Sequence, residues 1–313
     1  MGYGFFDSDA WTDYIKTTSL DKKSTTGGTG SIYSSTGLKE SVDPKCIECR
    51  EARDSKEHAS STPIIVAYDV TGSMRPVLRA AIENLGTLNE EIQKRDPVPD
   101  PQVCFMGIGD VKFDTAPLQV TQFESDIKQA DALREIWLEE HGGSNESESY
   151  LLPWYFAVHK VKADNIEKRH KKGFLFTMGD ECCPDGLSAD DLKKVFGNGQ
   201  YEDMTKEELL ALVSRDWYVF HMIIEEGNYY SNRYHIDDTR RERCEASWEF
   251  MGQNVIHVSD YHKIAEIIVS TMQVVHGESV HDVINSWGTD TALVVASAIN
   301  GLTVKKENEV IEF

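Results

Sequence analysis

Residues Ile64-Ile65-Val66-Ala67-Tyr68 form an unbroken apolar run rich in β-branched side chains, and the chain passes abruptly from it into Asp69-Val70-Thr71-Gly72-Ser73-Met74. A short apolar run bounded by turn residues reads as a strand buried on both faces, the pattern of a parallel sheet. Apolar Val77, Leu78, Ala81, Leu85 and Leu88 follow at helical spacing. Strand, turn and helix in that order put Asp69, Thr71 and Ser73 at the carboxyl end of a central strand, where open α/β sheets place their ligands. One carboxylate and two hydroxyls alternate there, and Gly72 relieves the crowding. Donors that offer only oxygen suit a hard cation such as Mg²⁺ rather than zinc. The plain structural alternative is a helix cap by Thr71 or Ser73, with Asp69 favouring the positive helix end. It accounts for any one of the three better than for the trio.

Two further segments repeat the arrangement. The run from Val103 to Gly109 ends in Asp110, and the run from Gly173 to Gly179 ends in Asp180 and Glu181. Each carboxylate alone is an ordinary loop residue; three strand ends finishing in Asp are harder to explain that way. Leu118 to Phe123, after Pro117, is a shorter alternating run suited to an edge strand. A helix is expected over Ser125 to Glu140, with Ile127, Leu133, Ile136 and Trp137 inward. The loop His141 to Ser149 combines paired glycines with oxygen-bearing Ser144, Asn145 and Glu148. One helix is expected from Tyr150 toward His170, with Pro153 in its first turn. Helices at Ser188–Phe196, Thr205–Arg215 (opened by a capping box), Arg240–Met251 and Lys263–Val275, and strands at Trp217–Ile224 and Asn254–Val258, complete the pattern.

Asp69-Val70-Thr71-Gly72-Ser73 resembles the D-x-S/T-x-S signature of von Willebrand factor A domains, and the order of elements over residues 61–276 resembles theirs. The resemblance implies a Rossmann-like, doubly wound, mostly parallel α/β sheet with one antiparallel edge strand and helices on both faces. It implies a metal-ion-dependent adhesion site holding Mg²⁺, with Mn²⁺ or Ca²⁺ as alternatives, through Asp69, Thr71 and Ser73. Asp110 and Asp180 would order the metal's waters. Many family members carry G-G-T in the glycine loop, and some carry G-G-x-D-x-P-E. This chain has Ser144 for the Thr, Asn145 for the Asp and Glu148 for the Glu, so the further ligand stays open among those three. The implied function is a non-enzymatic adaptor that binds the carboxylate of a protein partner through the metal. By analogy of family, the resemblance also implies the settings of its intracellular bacterial and phage members, which often act as adaptors for ring-shaped ATPases or in stress and defence systems.

Two other readings compete. Asp69-Val70-Thr71-Gly72-Ser73 also resembles the D-K-T-G-T nucleophile loop of haloacid dehalogenase-like phosphotransferases, and Gly179-Asp180 with Asp185 resembles their late acidic motif. There Asp69 would be phosphorylated beside Mg²⁺. Asp110 and the glycine loop find roles only in the binding reading. The third reading is an interaction domain that binds no metal.

Composition bounds the rest. The formal charge of the 313 residues is −21, from 32 basic and 53 acidic side chains, which argues against nucleic acid and anionic membranes as partners. Six scattered Cys and no signal peptide point to a reducing, cytoplasmic setting. Cys46 and Cys49 form a lone C-x-x-C, short of the four ligands a zinc site needs, and read as ordinary thiols. The expected organisation is an arm over residues 1–60, partly flexible, a main domain over 61–276 and a helical extension over 277–313. Within the arm, Phe5, Phe6, Trp11 and Tyr14 read as a docking segment and Ser24 to Gly37 as a linker.

Overall fold

The computed structural model describes residues 6–17, 33, 35–139 and 146–303. Its first half contains α1 (Ser8–Thr17), β1 (Arg50–Ala52), β2 (Thr62–Asp69), α2 (Arg75–Arg95), β3 (Pro101–Ile108), β4 (Leu118–Val120) and α3 (Lys128–Leu133). Then come α4 (Leu152–His159), β5 (Val161–Ala163), α5 (Asp164–Glu167), β6 (Gly173–Gly179), β7 (Gly186–Leu187), α6 (Ala189–Phe196), β8 (Met204–Thr205) and α7 (Lys206–Val213). The chain closes with β9 (Trp217–Ile224), α8 (Arg240–Trp248), β10 (Val255–Val258), α9 (Ile264–Val275), α10 (Val280–Asn285) and α11 (Thr289–Ile299).

Six strands make one sheet in the order β10-β9-β6-β2-β3-β4. Every pair is parallel except β3–β4, so the fold is the expected α/β class with an antiparallel edge strand. All eight residues of β2 are buried. Ile64, Val66 and Tyr68 join the core under α2 and α9, while Ile65 and Ala67 join the opposite core with α4, α7 and α8. Period-2 alternation thus feeds two apolar layers from one strand. Full burial of each β2 isoleucine contributes on the order of 2 kcal/mol.

Helix α2 has Pro76 in its first turn, where a missing N–H costs nothing. Val77, Leu78, Leu85 and Leu88 are buried against the sheet; the side chain of Ala81 lies outside the described set. The helix stops at Asp96, in the left-handed region at φ 46°, with Lys94 and Arg95 suiting the negative end. The capping box at Thr205 is present, and Ser188 caps α6.

The arm packs on the main domain. Phe6 and Trp11 are buried, and Trp11 lies so close over α2 that a Cβ on Gly86 would come 2.6 Å from its Nε1. Phe5 and residues 24–32 and 34 of the expected linker lie outside the described residues. β1 pairs in parallel with β5, and His58 sits against Asp100 (3.5 Å) and Ser125 (3.3 Å) below the amino ends of β2 and β3. All six Cys are free thiols.

Two expected helices are shorter than their apolar patterns. The 125–140 segment keeps only α3, because Gln119 captures the backbone of Trp137 through both its N–H and its carbonyl at 2.8 Å. A helix cannot spend those groups on its own ladder and on Gln119 as well. The 150–170 segment breaks into α4, β5 and α5, because β1 takes the backbone of 161–163 as a strand partner. At the far end α9 is buried along nearly its whole length beneath α10 and α11. No helix among the described residues is long and apolar enough to cross a membrane.

Candidate functional site

The carboxyl edge of the sheet is built by β2, β6 and β3 ending side by side. Val70 continues the β2–β3 ladder one residue further through its N–H to the carbonyl of Ile108 (2.9 Å). Thr71 is then extended (φ −82°, ψ 175°), and Gly72–Met74 make one tight helical turn before α2. Neither hydroxyl caps a helix. Both turn instead to carboxylates, so the plain capping explanation fails.

Thr71 gives its N–H (2.7 Å) and its hydroxyl (2.5 Å) to Oδ1 of Asp69. Ser73 gives its hydroxyl to Oδ1 of Asp180 (2.7 Å), at the end of the neighbouring strand. The other oxygen of Asp69 accepts from the Tyr150 hydroxyl (3.1 Å), and that of Asp180 from the Tyr229 N–H (2.7 Å). Asp69 and Asp180 are both fully out of solvent, at 0% exposure.

One loop is fastened to this pair, and a second follows the adjacent strand β3. The loop after β9 approaches so closely that a Cβ on Gly227 would meet the Asp180 side chain at 2.3 Å, and Asn228 donates to the Ser73 carbonyl (3.3 Å). The loop after β3 is shaped around Asp110, whose Oδ1 accepts from Lys112 N–H (2.8 Å) and whose own N–H reaches Asp114 Oδ2 (2.7 Å). Ser149 ties that loop to the glycine-loop segment through Gly109 and Val111.

Glu148 and Glu181 are buried here too, and each has its Oε2 without a hydrogen-bond partner. The electrostatics follow from burying acids together. Burial, then the charge of Asp180, pushes the Asp69 carboxyl up to about 7, against the hydrogen bonds from Thr71 and Tyr150. Burial raises Asp180 as well. Glu181 is pushed to about 9 by burial and then by Asp69 and Asp180, with Arg240 opposing. Glu148 is pushed to about 12 by burial and then by Asp69 and Glu181.

The donor set fits a hard divalent cation. Carboxylates and hydroxyls converge, two carboxylate oxygens are orphaned, and added positive charge would relieve every upward shift. Among the described residues no three His, Cys, Asp or Glu side chains form a metal-holding group by themselves.

Of the residues expected from sequence, Asp69 with Thr71 and Asp180 with Ser73 form two hydrogen-bonded pairs. Asp110 and Glu148 are buried at the same edge and reach the others through their charges. Ser144 and Asn145 lie outside the described residues, so Glu148 is the glycine-loop candidate whose position is known. Sequence reasoning missed Tyr150, Glu181 as a buried member and the Tyr229 amide. One signal for Tyr150 is Gly179: a Cβ there would lie 2.1 Å from the Tyr150 hydroxyl.

No family model and no curated protein matches the chain. Among solved structures, it is similar to the pilus adhesin SpaC from Lactobacillus rhamnosus GG. One form aligns with TM-score 0.45 and 9% identity over 71% of this chain and 32% of the adhesin. The open conformation aligns with TM-score 0.43 and 10% identity over 70% and 31%. The chain spans about a third of the adhesin's length, and a likeness this distant assigns neither partner nor activity.

Proposed function

We propose that the chain is a metal-dependent protein-interaction module of the von Willebrand factor A type, binding Mg²⁺ at the carboxyl edge of its sheet and a partner's carboxylate through it. The observation that carries this reading is the pairing of Thr71 with Asp69 and of Ser73 with Asp180 on adjacent strand ends, beside two orphaned buried glutamates. Asp69, Thr71, Ser73 and Asp180 would hold the cation, with Asp110 and Glu148 acting on its waters. Bound there, the cation supplies an electrophilic position that a carboxylate can fill, since hydroxyl ligands leave its charge largely intact.

The chain's own groups prepare that position. Thr71 and Tyr150 fix the two oxygens of Asp69, and the Tyr229 amide fixes Asp180. Strand ends buried on both sides keep these groups from relaxing toward water. Both Asp69 oxygens accept hydrogen bonds within the chain and the side chain is out of solvent, which leaves a phosphoryl donor no open approach to it. A cytoplasmic adaptor serving a ring-shaped ATPase is the setting that the sequence resemblance suggests.

The test is calorimetric titration of Mg²⁺ and Mn²⁺ into the wild type and Asp69→Ala, with phosphatase turnover measured on the same samples. Saturable binding that Asp69→Ala abolishes, without turnover, is expected. Turnover lost in the variant would move the assignment to phosphoryl transfer. Absence of binding in the wild type would leave a metal-free interaction domain.

A further inference from the structure

At the amino edge of the sheet, opposite the candidate site, side chains from three separate segments meet in a row. The Ser125 hydroxyl lies 3.3 Å from Nε2 of His58, and Nδ1 of His58 lies 3.5 Å from Oδ1 of Asp100. A hydroxyl, a base and a carboxylate in that order are the arrangement by which a serine is activated as a nucleophile. Both distances are longer than those of a finished catalytic hydrogen bond, and such bonds tighten when substrate arrives. Ser125 stands 67 residues after His58, so no short motif records the group.

Each member is placed by its backbone. Glu124 exchanges two hydrogen bonds with Val103 (2.9 and 3.0 Å), which sets Ser125 one residue past the ladder with β3. Asp100 immediately precedes β3; its carbonyl accepts the Thr62 N–H (3.0 Å) and its Oδ2 the Ser60 N–H (2.8 Å). One carboxylate oxygen is thus anchored while the other faces His58. Asp100 also stands in the left-handed region at φ 41°, a costly conformation for a residue other than glycine and one that gathers at functional sites. His58 closes a turn with Ser55, giving its N–H to the Ser55 hydroxyl (2.9 Å) and accepting the Ser55 N–H on its carbonyl (2.7 Å).

A purely structural staple of this kind is expected to be packed solid. Here His58, Asp100 and Ser125 line a cavity of about 410 Å³, a volume within the roughly 300–1,000 Å³ of small-molecule sites. His58 and Ser125 line it while standing only 2% and 7% exposed, away from bulk water. Phe6, Ile92 and Val98 supply an apolar wall suited to an acyl chain. Asp96 and Asp100 make the same cavity unfavourable for an anion. Gln93, also on the wall, has an amide N–H beyond the one it gives to the Phe6 carbonyl, a donor for a developing oxyanion.

We propose that Ser125, His58 and Asp100 form a second functional site, a serine hydrolase site for small neutral carboxylic esters with an apolar acyl group. Ser125 Oγ attacks the ester carbonyl, and its proton passes to Nε2 of His58. Asp100 is a positioning residue: it holds the ring proton on Nδ1, so that Nε2 is the basic nitrogen. His58 then gives the proton to the leaving alcohol as the C–O bond of the ester breaks. Water cleaves the acyl-serine by the same route, releasing the carboxylic acid and restoring the Ser125 hydroxyl. These residues, the ester and water carry every proton, so the site is independent of the metal-dependent reading at the other edge.

The test uses the full chain in EDTA. A fluorescent fluorophosphonate is expected to attach to Ser125, located by mass spectrometry of the digested protein, and to spare the heat-denatured chain. p-Nitrophenyl butyrate is expected to be hydrolysed, and Ser125→Ala and His58→Gln each to lower kcat/KM on the order of a hundredfold or more. Asp100→Asn is expected to lower kcat by a similar factor while KM stays within about twofold, a split that lost packing alone does not produce. Labelling of the wild type decides the matter even if a variant fails to fold. A probe found on another residue, equal labelling of the denatured chain, or ester turnover that survives in Ser125→Ala would overturn the proposal. No label on the wild type would overturn it too, and a lowered melting temperature in Ser125→Ala would then mark the three residues as a structural staple. Because EDTA is present throughout, each of these outcomes leaves the Mg²⁺ titration to be judged by itself.

Discussion

Two groups of buried or half-buried acids in this molecule behave in opposite ways. Beside β1 and α5, Asp164 meets Arg53 (2.8 Å) and Lys168 (2.7 Å), Asp54 meets Arg169 (2.6 Å), and Glu167 also reaches Arg53. Hydrogen bonds from Lys168, the Asp54 amide and Arg53 outweigh burial and hold the Asp164 carboxyl down at about 2; Asp54 is lowered as well. At the carboxyl edge of the sheet, Asp69, Glu148, Asp180 and Glu181 are all shifted upward. The first group carries its cations on its own side chains and fastens the arm to the domain. The second is built as though its positive charge arrives from outside. What separates a structural cluster from a receptive one is thus the presence of a built-in counter-charge, not the number of acids.

The same substitution should act with opposite sign in the two places. Asp69→Asn is expected to lower Mg²⁺ affinity at least a hundredfold, about 2.7 kcal/mol, while raising the melting temperature of metal-free protein. Asp164→Asn should leave Mg²⁺ affinity unchanged and cost roughly 2 kcal/mol of stability, because charge-assisted hydrogen bonds are lost. Calorimetry and thermal melts on both variants check this, and a shared sign would break the comparison.

Dependence on pH sharpens it. The Asp164 carboxyl, held at about 2, adds stability above the unfolded carboxylate range near ~4, and that contribution is lost as pH falls toward 2. The Asp69 carboxyl, raised to about 7, adds stability that is full below ~4 and is lost as pH rises through 7. Metal-free protein is therefore expected to lose stability on both sides of mildly acidic pH, and saturating Mg²⁺ to flatten only the neutral side. Melts from pH 3 to 8 with Mg²⁺ and with EDTA measure both slopes; identical curves would remove the metal from the account.

The smallest effect belongs to Tyr150→Phe. It removes the hydrogen bond to Asp69 and the one accepted from the Glu181 N–H, each worth about 1 kcal/mol, and should weaken Mg²⁺ binding severalfold at most. Urea melts and titration of this variant test whether Tyr150 orients Asp69 or merely packs against Trp248.

The central strands were legible because burial on both faces leaves an uninterrupted apolar run, and Ile64 to Ala67 or Phe174 to Phe176 can do little else. The polar ends were legible for a related reason: a buried strand has to change chemistry abruptly where it meets the ligand edge. What local pattern could not show was competition from afar. Ile127, Leu133 and Ile136 do have helical spacing, yet a single glutamine 18 residues before Trp137 takes the backbone that the helix needed. Tyr150 was hidden in the same way. Its hydroxyl serves an aspartate 81 residues earlier, and no spacing rule spans that interval.

The parallel pairing of β1 with β5 also sets a timetable for synthesis. Arg50 pairs with Val161, and Arg53 waits for Asp164, 111 residues later. At the usual pace of translation those partners leave the ribosome roughly 5–20 s after the arm does. β2, all eight of whose residues end buried, is also made before either neighbour and has both edges open until β3 and then β6 emerge. A nascent chain stalled between residues 110 and 160 would therefore hold its central strand half-covered and β1 unpaired, which makes that interval the one in which a chaperone has most to protect.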